Sequence, residues 1–208
     1  MLAAFFVSSN LISRVFPPML AEMDSKGERR DAWQVYANGG PAALAAVIPA
    51  DSSLKLWLVT ASLAAAAADT WATSVGTHSK GPVRLLGSGV VVPPGTSGGM
   101  TGAGSIGAAL GAMVVSGVGA LAIGRASLFA AGTLIGFWGM MLDSFAGSRW
   151  QGRFHCIRCD QPSERQVHRC GESTERRAGV SWLSNDGVNL LATTLALVAG
   201  WASWTWLD

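Results

Sequence analysis

Charged residues are scarce in this chain of 208 residues, since only 13% of them are Asp, Glu, Lys or Arg. A typical soluble domain has about 25% charged residues, so roughly half of the expected charge is missing. Half of the residues are hydrophobic and the mean hydropathy is +0.34, which excludes an ordinary soluble domain. The net charge of +2 gives no indication of a nucleic-acid partner. We interpret the chain as an integral membrane protein.

Cysteine is also rare, with three residues that all lie between positions 156 and 170. Three cysteines cannot form a complete disulfide framework, so they are interpreted as metal ligands or free thiols. The glycine-rich stretch 92–99 lacks the Gly-Lys-Ser/Thr ending of a Walker A loop. No basic leader follows Met1, so we expect no cleavable signal peptide.

Long apolar segments are abundant, and six of them are near the about 17–25 residues that a membrane-spanning helix requires. They are residues 1–16, 32–50, 54–73, 101–123, 126–147 and 182–206. Glycine and alanine fall inside these segments, which favours closely packed helices. We therefore expect an all-α polytopic bundle of about six transmembrane helices that forms a single domain, residues 1–208.

The polar loops 17–31, 74–100 and 148–181 would share one side of the membrane if all six segments cross it. That side holds 13 of the 15 Lys and Arg residues, and the other side keeps Lys55 and Arg125. The positive-inside rule predicts that the long loops face the cytoplasm or the equivalent side of an organelle membrane. Four tryptophans near the opposite interface are expected to form an aromatic belt: Trp57, Trp201, Trp204 and Trp206.

Three carboxylates are predicted near the cytoplasmic ends of their helices, at Asp69, Asp143 and Asp186. A carboxylate in an apolar helix is costly and usually functional, and a hard cation such as magnesium prefers oxygen ligands. Asp69 shares one helix face with Thr73 and Gly76 at i, i+4 and i+7. A buried aspartate that is hydrogen-bonded for helix packing is the structural alternative.

A glycine-rich loop at 92–99 (VPPGTSGG) directly precedes the fourth apolar segment. Its backbone N–H groups and the N-terminus of the following helix would form a cradle for an anion. An ordinary Gly/Pro turn is the alternative, but Lys80 and Arg84 lie just upstream and favour a phosphate. Arg30, before the second segment, is typical of a positive-inside anchor, with phosphate binding as a second interpretation.

Four soft or borderline metal ligands fall within fifteen residues: Cys156, Cys159, His168 and Cys170. Such a set in a reducing compartment suits a structural zinc ion, and His155 is an alternative to His168. Free cysteines are the other interpretation. We predict a small zinc-binding loop at 153–172 that fixes the loop and takes no part in chemistry.

Six ordered blocks of the sequence resemble the domain-of-unknown-function 92 membrane family, which includes animal transmembrane protein 19 and plant phytyl-phosphate kinase. The blocks are ERRDAWQVYANGG (28–40), ADTWATSVG (68–76), SKGPVRL (79–85), VPPGTSGGMTGAG (92–104), GMMLDSFAGSRWQ (139–151) and GVSWLSNDGVNLL (179–191). The resemblance covers nearly the whole chain.

The resemblance implies phosphate transfer from a nucleotide, expected to be CTP, to an isoprenoid (phytyl or prenyl) monophosphate, which gives the diphosphate. The magnesium ligands and catalytic candidates that it implies are Asp69, Asp143 and Asp186, with Lys80 as a further catalytic candidate. The implied phosphate-binding residues are Lys80, Arg84, Gly95, Thr96, Ser97, Gly98 and Gly99. The implied supporting polar residues are Asn38, Asn185 and Asn189.

The expected partners are a nucleoside triphosphate, an isoprenoid phosphate, membrane lipid and a second copy of the chain in a homo-oligomer, but no nucleic acid. Family members often carry Glu where this chain has Ser74, and they commonly begin with a further hydrophobic segment. The loss of that acid keeps a non-catalytic lipid-binding or transport protein as an alternative function. A CTP-dependent lipid cytidylyltransferase is another.

Overall fold

The computed structural model describes residues 1–17 and 32–207, and its main feature is a bundle of six α-helices. The helices are α1 (Leu2–Val15), α2 (Ala32–Val47), α3 (Ser52–Gly76), α4 (Gly102–Ile123), α5 (Ser127–Arg149) and α6 (Asn185–Leu207). Each helix corresponds to one predicted apolar segment, and no boundary differs by more than three residues. The six helices are confirmed, whereas the prediction that all six cross a membrane is not.

Short polar signals fix the helix ends. Asp51 caps α3, because its Oδ1 accepts hydrogen bonds from the backbone N–H groups of Ser53 and Leu54. α4 ends at Gly124, whose φ of 77° lies in the left-handed region that glycine adopts without steric cost. At one end of the bundle α1, α3 and α5 end and α2, α4 and α6 begin, and we call it the loop end.

α3 is the central helix of the bundle. It contacts each of the other five helices, and the run Ala64–Ala68 is buried along its whole length. Alanine side chains are small, so the neighbouring helices can approach α3 closely.

Glycines on the neighbouring helices make this close approach possible. A Cβ atom at Gly111 of α4 would lie 2.7 Å from the carbonyl oxygen of Ala67. A Cβ atom at Gly139 of α5 would lie 2.6 Å from the Cβ of Ala65. Both distances are shorter than a normal van der Waals contact, so a side chain at either glycine would push its helix away from α3.

Three helices are long and apolar enough by themselves to cross a membrane: α4, α5 and the stretch Asn185–Trp206 of α6. α1 is apolar but only 14 residues long. α3 has the length, at 25 residues, but is less apolar. Because α3 is enclosed by other helices, its side chains meet protein where those of an outer helix would meet lipid.

The long loops fold into two small antiparallel sheets, although the sequence predicted an all-α chain. Strands β1 (Val83–Leu85), β2 (Val91–Val92) and β3 (Gly99–Met100) form one sheet in the order β2-β1-β3. Strands β4 (Arg153–Cys156), β5 (Gln161–Ser163) and β6 (Glu175–Ala178) form the other in the order β5-β4-β6. Both sheets lie at the loop end.

The placement of Trp57 in an aromatic belt is wrong. Its side chain is fully buried, packs against Leu128, and donates a hydrogen bond from Nε1 to the carbonyl oxygen of Gly200 at 2.8 Å. Trp201 and Trp206 are exposed near the end of α6, as a belt requires. Trp57 differs from them because it lies on the enclosed helix α3.

We expect Gly111→Ala to lower the free energy of unfolding by about 1–3 kcal/mol, because the added methyl group overpacks the contact with α3. Gly102→Ala on the same helix is the matched control, since a Cβ atom there meets nothing within 4 Å. It should leave stability unchanged or raise it by less than about 1 kcal/mol. Unfolding by SDS in mixed micelles measures both changes, and equal stability of the two variants would contradict the packing model.

Candidate functional site

A cavity of about 1340 Å³ lies at the loop end of the bundle. Residues of all six helices line it, together with the loop before α4 and the residues that follow strand β5, and it extends along α1 from Ser13 to Leu2. It contains most of the residues that the sequence singled out. Those residues are Asn38, Asp69, Gly95, Thr96, Ser97, Gly98, Gly99, Asp143, Asn185 and Asn189.

Asp69 and Asp143 lie on contacting faces of two parallel helices. α3 and α5 both run towards the loop end, and they meet where Gly139 packs on Ala65. One helical turn later, at i+4 on each helix, come Asp69 and Asp143. Both carboxylates line the cavity and are close enough to interact electrostatically. The sequence predicted a common depth for them, and the structure brings them together.

Two asparagines complete this group. Asn38 of α2 and Asn189 of α6 share a small cavity of about 10 Å³ with Asp69 and Asp143. The Asn38 side chain donates from Nδ2 to the carbonyl oxygen of Gln34 at 3.0 Å. Four helices therefore supply oxygen-bearing side chains to one point, which is the arrangement that a hard cation requires.

Hydrogen bonds fix α2 and α6 beside this group. The Thr193 hydroxyl of α6 is buried and shares its one proton between the carbonyl oxygen of Asn189 in its own helix, at 2.8 Å, and that of Ala37 across the helix interface, at 2.9 Å. Ala37 is adjacent to Asn38, and Thr193 is one turn from Asn189. The bond therefore sets the relative position of the two asparagines.

The predicted face of α3 is also confirmed, because Thr73 and Gly76 line the cavity with Asp69. Ser74 lines it too and is only 1% exposed. Its Oγ lies 3.3 Å from the Oγ of Ser13 on α1. At this position the chain has a hydroxyl pair that joins two helices, where the family resemblance leads us to expect an acid.

The glycine loop forms another wall of the cavity. Gly98 has a φ of 75°, and a Cβ atom there would lie 2.3 Å from the backbone nitrogen of Ser148 on α5. Glycine is therefore required for the loop to pack on α5. Within the loop, the N–H of Thr96 donates to the carbonyl oxygen of Pro93 and the N–H of Gly99 to that of Thr96. The hydroxyl of Thr101, which caps α4, also lines the cavity.

Three predicted site residues do not line the cavity in the part of the chain that the structure describes: Lys80, Arg84 and Asp186. Lys80 is exposed. Arg84 is exposed on β1 and donates from Nη1 to the carbonyl oxygen of Gly89 at 2.9 Å. Asp186 is half-buried in the first turn of α6, next to Asn185. The predicted phosphate ligand Arg30 lies outside the described residues.

The four predicted soft ligands form a compact group: Cys156, Cys159, His168 and Cys170. Their ligand atoms all lie within 4.8 Å of one another, so the group could hold a metal ion. Cys156 and Cys159 lie at the turn between β4 and β5. His155 points to a different partner, since its Nε2 is 3.0 Å from Oδ1 of Asp160. His168, and not His155, is therefore the fourth ligand of the group.

The two exposed thiols of this group differ in acidity. The hydrogen bond with His168 lowers the pKa of Cys170 to about 6, and the hydrogen bond with Cys170 raises the pKa of Cys159 to about 11. A thiolate is the metal-binding form of cysteine. Cys170 is thus in its metal-binding form at neutral pH.

Sequence reasoning missed the polar residues Gln151, Glu164 and Arg165, which also line the cavity. Gln151 lies two residues after α5 and is 2% exposed, whereas Glu164 and Arg165 directly follow β5. Nothing in the sequence of a polar loop distinguishes these three from its other polar residues. Much of the apolar lining of the cavity was also missed, including Leu2, Ala3, Phe5, Phe6 and Val35.

A family model described as Integral membrane protein DUF92 matches residues 1–197. Protein PGR of Arabidopsis thaliana is 27% identical over 227 residues, which cover 94% of this chain and 77% of that protein. An uncharacterized membrane protein of Methanocaldococcus jannaschii is 27% identical over 201 residues, which cover 96% of this chain and 73% of that protein. No solved structure matches the chain significantly.

We expect the purified protein to carry about one tightly bound metal ion per chain, because four converging Cys and His ligands bind such an ion strongly. Cys156→Ser should remove most of this metal. His155→Ala is the matched control, because His155 is adjacent in sequence but outside the group. Elemental analysis of protein purified without chelators measures both. Equal loss from the two variants would contradict the assignment of ligands.

Proposed function

The chain belongs to the DUF92 integral membrane family, and we propose that it is a CTP-dependent kinase of an isoprenoid monophosphate. Its product would be the phytyl or prenyl diphosphate. The observation that carries the proposal is the convergence of Asp69, Asp143, Asn38 and Asn189 on one point. The surrounding cavity is also lined by a glycine loop and by apolar side chains of α1 and α2. The loop suits the phosphates of a nucleotide, and the apolar side chains suit the hydrocarbon chain of a lipid phosphate.

Magnesium is assigned to Asp69 and Asp143, with Asn38 and Asn189 as further oxygen donors and Asp186 as a third candidate carboxylate. The donor set fits, because all four converging side chains carry oxygen and none carries sulfur. When bound, the ion would neutralise charge on the reacting phosphates.

The glycine loop is assigned to the phosphates of the nucleotide. Gly95–Gly99 line the cavity, and α4 begins three residues later with its positive N-terminal dipole. Thr96 and Ser97 add hydroxyl groups. Arg165 is a basic residue that lines the cavity, and further phosphate ligands are proposed from the sequence alone: Lys80, Arg84 and Arg30.

The chain's own contribution to the reaction would be positioning. A terminal oxygen of the isoprenoid monophosphate attacks the γ-phosphorus of CTP, the bond to the β,γ-bridging oxygen breaks, and CDP leaves. Such transfers need aligned reactants and neutralised charge, and they need no covalent protein nucleophile.

The apolar side chains that α1 and α2 contribute to the cavity suit the isoprenoid chain. Leu2 and Phe6 of α1 and Val35 of α2 line the cavity and are also more than half exposed. α1 contacts α3 and α4, whereas α2 contacts α3 and α6, so the two helices lie on different flanks of α3. The chain would enter sideways from the bilayer between α1 and α2, with its phosphate at the carboxylates.

We also propose that all six helices cross the membrane, with the loop end in the cytoplasm or its equivalent. Two observations support this topology: 13 of the 15 basic residues belong to that side, and α3 is enclosed by five other helices.

Zinc is proposed for the Cys/His group. The Sγ atoms of Cys156 and Cys170 are 3.7 Å apart. Two sulfurs bound tetrahedrally at about 2.3 Å from zinc would be about 3.8 Å apart, so the spacing fits.

Purified protein with magnesium and CTP should convert phytyl or geranylgeranyl monophosphate to the diphosphate and release CDP. Asp69→Asn should lower this rate by at least about 10²-fold, because the substitution removes charge from the cation site. Glu175→Gln, an exposed carboxylate on β6 paired with Arg177, is the control and should retain the rate. Thin-layer chromatography with γ-labelled CTP measures both.

The products distinguish the alternative functions. Release of pyrophosphate with a CDP-lipid product would indicate a cytidylyltransferase. Lipid phosphate that binds without turnover would favour a lipid-binding or transport protein. In either case the kinase proposal would be wrong.

Val35→Trp should raise KM for the phytyl substrate about tenfold, because the larger ring fills the part of the cavity that Val35 lines between α1 and α2. Val47→Trp is the matched control, since Val47 is also an exposed valine of α2 but does not line the cavity. KM for CTP should change in neither variant. If both tryptophans raise the KM for lipid equally, the chain does not lie between α1 and α2.

A further inference from the structure

A chain of hydrogen bonds connects the sheet that carries the Cys/His group to the glycine loop. The Ser97 hydroxyl donates to Oε1 of Glu164 and accepts a hydrogen bond from Nε2 of Gln151 at 3.0 Å. All three side chains line the cavity. Ser97 is thus held from two sides, and each side belongs to a different part of the fold.

The Gln151 side is rigid. Its side chain is 2% exposed, and its backbone N–H donates to the carbonyl oxygen of Ala146 at the end of α5. The adjacent Gly152 donates from its N–H to the carbonyl oxygen of Leu183, just before α6. Gln151 is therefore fixed by the helix bundle and needs no metal.

The Glu164 side depends on the Cys/His group. Glu164 follows Ser163, which pairs with Phe154 in the β4–β5 ladder, while Cys156 pairs with Gln161 at the turn of the same hairpin. In sequence, Glu164 lies between the ligands Cys159 and His168. A metal ion bound by both ligands would close the short segment between them, and this removes much of the freedom of the segment in the metal-free protein.

The sheet is small, since its strands have only three or four residues. Hydrogen bonds also hold the segment after β5, because the Thr174 hydroxyl donates to the carbonyl oxygen of Arg165 and Gln166 Nε2 donates to that of Ser181. A bound metal would add to these contacts the closure of the segment between Cys159 and His168. The Ser97 bond to a carboxylate is a charge-assisted hydrogen bond, which is stronger than a neutral one. Loss of the metal would thus loosen Glu164 and, through Ser97, the glycine loop.

We propose that Glu164 is a positioning residue that couples metal binding at the Cys/His group to the conformation of the glycine loop at 93–99. Binding of the nucleoside triphosphate then depends on an ion that touches neither substrate. This inference rests on the proposed function only where it assigns the nucleotide to the glycine loop. The coupling itself rests on the contacts of Ser97.

Hydrogen exchange of the backbone N–H groups of residues 95–99, followed by mass spectrometry on the full chain in detergent, tests the coupling without any assay of activity. In the wild type, removal of the ion of the Cys/His group with a zinc-selective chelator, in excess magnesium, should speed this exchange about tenfold. This is the expected effect of losing a hydrogen bond to a charged group. With metal bound, Glu164→Ala should show the same fast exchange and no further response to the chelator. Glu164→Gln keeps a side-chain acceptor and should be intermediate.

Two further variants control for misfolding. Ser97→Ala breaks the contact from the loop side, so it should abolish the response to the chelator while the metal content stays normal. Glu175→Gln on β6 should respond like the wild type. The proposal is overturned if the exchange rate of residues 95–99 does not change on metal removal in the wild type. It is also overturned if the exchange rate in Ser97→Ala and Glu164→Ala still rises on metal removal.

A measurement of CTP affinity separates this inference from the proposed function. CTP affinity of the wild type should fall about tenfold on metal removal, and Glu164→Ala should have the weak affinity in both states. Coupled exchange without any CTP binding would contradict the kinase and leave the positioning role intact. A CTP affinity that does not change when the ion of the Cys/His group is removed would contradict the positioning role and leave the kinase proposal intact.

Discussion

The contact between Ala65 of α3 and Gly139 of α5 determines most of what this structure can do. Only a methyl group on one helix and a hydrogen on the other allow the two backbones to come so close. Because α3 and α5 run in the same direction, the next turn of each helix brings Asp69 and Asp143 together. Two carboxylates held together in an apolar bundle repel each other and lose hydration, so the arrangement is stable only if a cation or polar partners compensate. Tight apolar packing thus imposes the chemistry of the polar site.

The helical part of the fold could be predicted from the sequence because its signals are long and redundant. Each apolar segment is bounded by Pro, Gly or charged residues, and one of these, Asp51, accepts the hydrogen bonds that cap α3. The two sheets could not be predicted in the same way, since strands of two to four residues have no measurable periodicity. Trp57 shows a related limit. Hydropathy places it at a helix end, but only the packing of helices around α3 decides that it is buried.

The candidate site was predictable in its depth but not in its lateral contacts. Helix boundaries place Asp69, Asp143 and Asn189 at a common level, whereas the choice of which helices touch depends on the shapes of their surfaces. Arg84 shows the consequence: it lies on the expected loop, yet its strand turns it outward to Gly89. Glu164 shows the opposite case, because a residue between two metal ligands gives no sign in the sequence that it reaches a glycine loop 67 residues away.

The hydrogen bond from Thr193 to Ala37 also has a meaning for biogenesis. It joins α6 to α2, which is synthesised much earlier, across 156 residues of chain. Until α6 is inserted, the wall that carries Asn185 and Asn189 is missing. During that interval the nascent chain has two carboxylates beside an incomplete bundle, and their cost in the bilayer is highest then. Insertion of α6 therefore completes this site, and a ribosome stalled before residue 185 would leave a chain suited to recognition by membrane quality control.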